Sequence, residues 1–212
     1  MDTILREDLL DLEKVRDIRS IEILLDLLRE RVGGTVSYAS LAGDLQVSIP
    51  TVKHWLQILE NLFVIFAIRP YHNNIARSLL KEPKYYFYDT GAVEGDDGAR
   101  LENAVACLLL AELHHLEDTT GSKVALHYLR DKEKREVDFC LVVDGKPTHL
   151  LEVKWADEQF SPHIFHFRKQ MGGAKAFQLV HQAGRTLMKD GVRLQSAHEF
   201  LGSFSLEAGI TE

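Results

Sequence analysis

The chain has 212 residues, of which 45% are hydrophobic and 27% charged, so it can bury an ordinary core and is neither disordered nor fibrous. Its net charge of -7 argues against a surface that binds nucleic acid throughout, and two cysteines are too few for a disulfide scaffold or a cysteine-based zinc site. No apolar run approaches the roughly 20 residues of a membrane span, and the acidic start is unlike a signal peptide, so we expect a cytoplasmic protein without a membrane partner.

The first predicted element is an amphipathic helix, in which apolar residues recur at steps of three and four. These residues are Val15, Ile18, Ile21, Leu25 and Leu28. The pair Gly33 and Gly34 ends the helix, because glycine tolerates the left-handed conformation of a C-terminal cap. We interpret it as a helical arm that packs on a core, although its acidic edges could equally form a partner surface.

A helix-turn-helix is predicted next. A short helix over 38–45 leads through a turn into a second helix over 50–61, for which Ser48 is a plausible N-cap and Pro50 a suitable first-turn residue. Two β-rich runs follow, LFVIFAIRPY and KYYFYDTG, and they fit the hairpin wing of a winged helix.

In a DNA-binding winged helix, the second helix enters the major groove. Its exposed side chains here would be Thr51, Lys53, His54 and Gln57, joined by Arg69, Arg77, Lys81 and Lys84 from the wing. Residues 33–92 carry only five basic against four acidic residues, whereas phosphate contacts supply most nonspecific affinity for DNA. DNA contact and a purely structural or protein-binding role therefore both stay open.

A Gly- and Asp-rich stretch over 91–98 is typical of a linker, and we place a domain boundary near residue 95. The predicted domains are a helical arm with a winged helix over 1–95 and an α/β domain over 96–212. In the second domain we expect an apolar helix over 100–116, with the sequence RLENAVACLLLAELHHL. Three strands follow it, LHYLRD, REVDFCLVV and THLLEVKW. A further helix, the strand AFQLVH and a terminal helix from about residue 196 complete an order that favours a central mixed sheet.

The chemical signal of the second domain is Asp138 followed by the Glu-x-Lys of Glu152 and Lys154. Alternate residues of a strand face the same side, so Glu152 and Lys154 project together. If Val143 pairs with Pro147 around a three-residue loop, Asp138 lies opposite Glu152. A loop one residue longer would turn Asp138 to the other face of the sheet.

Two neighbouring carboxylates repel each other, and Mg²⁺ or Mn²⁺ relieves that repulsion. Such a metal would polarise a phosphodiester and acidify water, while Lys154 stabilises the developing negative charge or orients the nucleophile. Glu102, brought in from the helix, would complete a ligand set with Asp138 and Glu152. The alternative is an ordinary surface ion pair, but both strands are otherwise apolar, and charges there need a partner or a metal.

These motifs resemble a known family, the carboxy-terminal region of predicted prokaryotic AAA+ superfamily ATPases. Residues 36–92 look like its winged helix, and residues 100–181, with RLENAVACLL, REVDFCLV, LLEVKW and KAFQLV, are similar to its PD-(D/E)XK nuclease-like domain. The resemblance implies a restriction-endonuclease-like fold whose site positions are Glu102, Asp138, Glu152 and Lys154. The chain contains no phosphate-binding loop, so the family's ATPase activity is not carried over, and the chain is either a fragment or a stand-alone member.

Two functions are therefore predicted. The first is a Mg²⁺-dependent DNA-cleaving or DNA-processing module. The alternative is a catalytically inactive nuclease fold that binds an ATPase or another protein partner, which the acidic net charge favours. Carboxylates of Asp138 and Glu152 that point apart, or an intramolecular arginine between them, would rule out the metal site.

Overall fold

The structure, a computed structural model, describes residues 18–72, 81–156 and 159–206. Its helices are α1 (Ile18–Arg29), α2 (Tyr38–Asp44), α3 (Ile49–Asn61), α4 (Asp97–Thr120), α5 (Pro162–Gln170) and α6 (Ala197–Ser203). Its strands are β1 (Ile65–Pro70), β2 (Lys84–Phe87), β3 (Val124–Arg130), β4 (Glu136–Val143), β5 (Lys146–Lys154), β6 (Lys175–Val180), β7 (Leu187–Lys189) and β8 (Val192–Ser196). The predicted mixed α/β class is confirmed.

All eight of these strands form one mixed sheet in the order β2-β1-β3-β4-β5-β6-β8-β7. The pairs β1–β3, β5–β6 and β6–β8 are parallel, and the other neighbours are antiparallel. The predicted hairpin is present as β1 and β2, but it is the edge of the central sheet, because Arg69 pairs with His127 and Pro70 with Tyr128. The sheet therefore continues across the predicted boundary near residue 95.

The predicted helix-turn-helix is present as α2 and α3. The Ser48 hydroxyl accepts a hydrogen bond from the backbone N–H of Thr51 at 3.2 Å, and Pro50 lies in the first turn, so α3 begins as its sequence predicts. The inner face of α1 is buried at Ile21, Leu24, Leu25 and Leu28. Val15, predicted on the same face, lies outside the described residues.

One hydrophobic core joins both halves of the chain. It includes Leu24 of α1, Leu59 of α3, Phe87 of β2, Leu109 of α4 and Phe139 of β4, all 0% exposed. Burial of each such side chain contributes about 1.5–3 kcal/mol. A smaller cluster fills the space beneath α5 on the opposite face of the sheet.

The β4–β5 hairpin differs from its prediction in the loop. Asp144 and Gly145 have φ values of +48° and +76° and form a two-residue turn, so Val143 pairs with Lys146 and not with Pro147. A bulge then shifts the register. The Thr148 hydroxyl donates a hydrogen bond to the Leu141 carbonyl at 3.2 Å, within this irregularity. Beyond it Phe139 pairs with Leu151, so the next residues, Asp138 and Glu152, lie opposite each other as predicted.

The bounds of other helices and strands also differ from their predictions. Helix α4 covers Asp97–Thr120, longer than the predicted 100–116, because the Asp96 carboxylate accepts the Ala99 N–H and Gly121 forms a left-handed cap at φ +73°. The expected linker over 91–98 is therefore shortened by the first turn of this helix. Strands β7 and β8 were not predicted, whereas the terminal helix is present as α6. No helix in the described residues is long and apolar enough to span a membrane.

Candidate functional site

The sheet brings the predicted site residues together. On β5, Lys154 Nζ lies 2.8 Å from Glu152 Oε1. On β4, the Asp138 Oδ2 accepts the backbone N–H of Val153 at 2.8 Å, which fixes the carboxylate across from β5. The charge of Asp138 acts on the pKa of both Glu102 and Glu152, so the α4 carboxylate belongs to the same cluster.

A buried lysine, Lys84, lies between three carboxylates of this cluster. Its side chain is 1% exposed, and its Nζ lies 2.7 Å from Glu136 Oε1, 3.5 Å from Glu102 Oε1 and 3.7 Å from Asp138 Oδ1. The prediction that Lys84 is a DNA-contacting side chain of the wing is wrong. Strand β2 belongs to the central sheet, and its Lys84 face turns toward the carboxylates on α4 and β4.

Glu102 is held by the first half of the chain. Its Oε1 accepts a 2.6 Å hydrogen bond from the hydroxyl of Tyr86, which is fully buried on β2. Its Oε2 faces Gly33, where a Cβ atom would stand 2.6 Å away, and Gly33 also has a φ of +80°. Only glycine permits both this approach and this backbone conformation without strain.

Asn103 ties α4 to the edge strand β2. It is 0% exposed, its Oδ1 accepts the Phe87 N–H at 2.8 Å, and its Nδ2 donates to the Phe87 carbonyl at 2.9 Å and to Thr90 Oγ1 at 3.2 Å. The amide thus takes the two backbone hydrogen bonds that a neighbouring strand would take. This clamp sets Glu102 beside Lys84 and Tyr86.

Burial sets the protonation of the two glutamates. Desolvation and the neighbouring charge of Asp138 raise the pKa of Glu102 to about 7, against the opposing effects of Lys84 and Tyr86. The same two causes raise the pKa of Glu152 to about 7, against the opposing effect of Lys154. For Lys84, burial lowers the pKa, but the surrounding carboxylates outweigh burial and raise it above its ordinary value.

With all four of its carboxylates ionised, the described cluster has one more negative than positive charge. Its four carboxylates are Glu102, Glu136, Asp138 and Glu152, and its cations are Lys84, Lys154 and Arg130, whose Nη1 lies 3.0 Å from Glu136 Oε2. The Glu152 Oε2 is buried and receives no hydrogen bond from the described residues.

These oxygen donors fit the chemistry that Mg²⁺ or Mn²⁺ prefers. Within the described ranges, however, no three acidic, His or Cys side chains are arranged to hold a metal ion. Glu102, Glu136 and Asp138 converge on Lys84 instead.

Glu136, Tyr86 and Lys84 were missed as site residues. A sequence signal existed for each, since alternate residues of a strand share a face: Lys84 with Tyr86 on β2, and Glu136 with Asp138 on β4.

Of the described residues predicted to contact DNA, most lie on α3, whereas Arg69 lies on β1, the strand that pairs with β2, and Lys81 is exposed just before β2. Lys53, His54 and Gln57 are exposed on α3, and Lys53 Nζ stands 5.2 Å from the centre of the Tyr38 ring. Thr51 is half-buried, with its Oγ1 2.8 Å from the Ser48 hydroxyl. Arg69 is half-buried on β1, and burial raises the pKa of Glu60 against the opposing charge of Arg69. Arg77 lies outside the described residues.

Two family models match the chain, one for each part of the sequence. Residues 1–94 match the domain of unknown function DUF8612, and residues 97–198 match the domain of unknown function DUF4143. Domains of the DUF4143 family are often found in the carboxy-terminal region of AAA-ATPase-like proteins.

Uncharacterised proteins of Mycobacterium bovis and Mycobacterium tuberculosis are each 28% identical to this chain over 121 residues. That match covers 54% of this chain and 27% of each relative, so the chain matches only about a quarter of the length of these relatives. No solved structure shows a significant similarity to it.

Proposed function

We propose that the chain is a cytoplasmic, PD-(D/E)XK-like module that hydrolyses DNA phosphodiesters with Mg²⁺ or Mn²⁺. One observation carries the proposal: the buried Oε2 of Glu152 has no hydrogen-bond donor among the described residues, although Asp138 and Lys154 lie beside this carboxylate. A buried carboxyl oxygen that receives no hydrogen bond is unfavourable, so it favours a ligand at this point.

The side chains have separate roles in this proposal. Asp138 and Glu152 would hold the metal, with Glu102 as the third ligand, and the bound ion would polarise the phosphodiester and acidify a water. The Val153 N–H fixes Asp138, so one ligand is positioned in advance. The Lys154 side chain is 40% exposed while still paired with Glu152, so its ammonium can meet a phosphate arriving from solvent and stabilise its developing charge.

A second candidate is the inactive nuclease fold that binds an ATPase or another protein partner. Lys84 favours it, because a lysine lies between Glu102, Glu136 and Asp138 and already supplies these carboxylates with the positive charge that a metal would bring. The association of DUF4143 domains with AAA-ATPase-like proteins and the net charge of -7 agree with it.

A cleavage assay on plasmid and single-stranded DNA separates the two functions. With Mg²⁺ or Mn²⁺, we expect Asp138→Asn and Lys154→Met to lower the rate by on the order of 100-fold, because each removes a group that acts on the transition state. The matched controls, Asp118→Asn and Lys132→Met, change exposed side chains and keep the rate of the unmodified chain.

If all five proteins are equally inert, the nuclease proposal fails. DNA affinity with a steep salt dependence would in turn count against a purely protein-binding module, because such a module releases no counter-ions from DNA.

A further inference from the structure

Lys84 is a cation supplied to the carboxylates from another part of the chain. It lies on β2, within residues 1–94, whereas Glu102, Glu136 and Asp138 lie on α4 and β4, within residues 97–198. A lysine that is 1% exposed is rare unless it is paired, and here three carboxylates lie within 4 Å of its Nζ. The Lys84 ammonium therefore stabilises the three carboxylates in this structure.

Lys84 and a divalent cation would use the same carboxylates. Glu102 and Asp138 lie 3.5 Å and 3.7 Å from its Nζ, and both are ligands in the proposed metal site. A divalent ion held between Glu102 and Asp138 would lie close to the Lys84 ammonium, and two cations at short distance repel each other strongly. The lysine and the metal are thus alternative occupants.

The charges of the cluster favour an exchange. With all four carboxylates ionised, Lys84, Lys154 and Arg130 leave one negative charge uncompensated. A divalent cation in place of Lys84 would bring this sum to zero.

A space beside Tyr128 could receive the displaced Lys84 side chain. The Lys84 Nζ stands 5.5 Å from the centre of the Tyr128 ring, and Tyr128 also lines a cavity of about 360 Å³ whose lining includes the acidic Glu82 and Asp131 and the basic Lys81 and Arg130. The backbone can stay in place during this movement. Lys84 pairs with Ile68 in the sheet, and a lysine side chain has four rotatable bonds.

We propose that Lys84 is the resident counter-ion of the carboxylate site, and that a divalent cation binds by displacing it. The half of the chain that carries β2 thereby controls entry of the metal. The inference rests on the metal site of the proposed function and does not depend on DNA cleavage.

Mn²⁺ binding to the full chain tests this directly. We expect Lys84→Met to bind Mn²⁺ about tenfold more tightly or better than the unmodified chain, because a competing positive charge is gone. The variant should melt at a lower temperature in a metal chelator and recover with Mn²⁺. Lys123→Met, which changes an exposed lysine outside this cavity, should match the unmodified chain, and adding Asp138→Asn to Lys84→Met should abolish the gain.

A second measurement needs no variant, so it decides the matter even if Lys84→Met does not fold. With an amine-reactive reagent and mass spectrometry, Lys84 should be protected in chelator and become reactive at saturating Mn²⁺, while the exposed Lys81 reacts in both states. Lys84 that stays protected with metal bound overturns the proposal. So does equal Mn²⁺ affinity in the unmodified chain and Lys84→Met, or no binding by the unmodified chain.

The two proposals fail separately. An unmodified chain that cleaves no DNA, together with tighter Mn²⁺ binding by Lys84→Met, removes the nuclease and leaves the counter-ion. Metal-dependent cleavage by the unmodified chain, together with equal Mn²⁺ affinity in the unmodified chain and Lys84→Met, leaves the nuclease and removes the counter-ion.

Discussion

Glu152 shows how strongly a single residue responds to its surroundings. Its pKa of about 7 lies above the ordinary 4.5, because burial and Asp138 together outweigh the attraction of Lys154. The protonated carboxyl is therefore favoured in the folded chain. Its contribution to stability is fully present below about pH 4.5 and is lost as the pH rises through about 7.

Glu152→Gln should remove this pH dependence, because glutamine has no carboxyl proton to lose. In a metal chelator, we expect the free energy of unfolding of the variant to rise relative to the unmodified chain between about pH 4.5 and about pH 8. Urea unfolding across this range measures it, with the exposed Glu117→Gln as the control that follows the unmodified chain. Curves for Glu152→Gln and the unmodified chain that stay parallel would show that Glu152 does not titrate in this way.

Residue patterns predicted part of this site. The period of two along a strand placed Glu152 and Lys154 on one face, and the apolar neighbours marked Asp138 as unusual. The same period places Lys84 and Tyr86 on one face of β2, but it does not predict whether that face lies toward solvent or toward the carboxylates. That depends on β1 pairing with β3 between Arg69 and His127, residues far apart in sequence, and no local pattern encodes such a pairing.

At the scale of elements, the predicted loop of the β4–β5 hairpin was wrong, whereas the predicted pairing of Asp138 with Glu152 agrees with the register of its strands. The Asp144-Gly145 dipeptide is a strong signal for a two-residue turn, which alone would have shifted Asp138 away from Glu152. The bulge at the start of β5 compensates by one residue. Pro147 was the available signal, since a proline in a central strand is confined to its start or to a bulge.

The contact between α4 and β2 depends on Asn103, whose amide satisfies both backbone groups of Phe87. We expect Asn103→Ala to lower the free energy of unfolding by about 2–4 kcal/mol, because it leaves a buried donor and a buried acceptor without partners. Asn61→Ala, which removes only an exposed contact with Gln57, should change it by about 0.5 kcal/mol or less. Similar losses for the two variants in urea unfolding would show that the clamp contributes little.

At the scale of the whole molecule, the family matches and the architecture divide the chain differently. The matches change from one family to the other between residues 94 and 97. The eight-stranded sheet and the main hydrophobic core both continue across this point, and Lys84 and Gly33 contact carboxylates beyond it. Composition and linker signals locate a change in sequence character, but they carry no information on whether two segments share one core.

If both halves are needed for one core, residues 96–212 alone should not fold cooperatively. The isolated segment would expose the β3 edge where β1 pairs, the apolar surface of α4 beneath β2, and the carboxylates that Lys84 neutralises. We expect it to aggregate or to lack a sharp unfolding transition, and we expect the same of the segment 1–95. Mixing the two segments should restore the circular dichroism and the urea transition of the full chain, whereas Lys84→Met in the first segment should weaken their association. A cooperative transition of 96–212 by itself would instead make the second half an independent domain, with β1 and β2 as additions to its sheet.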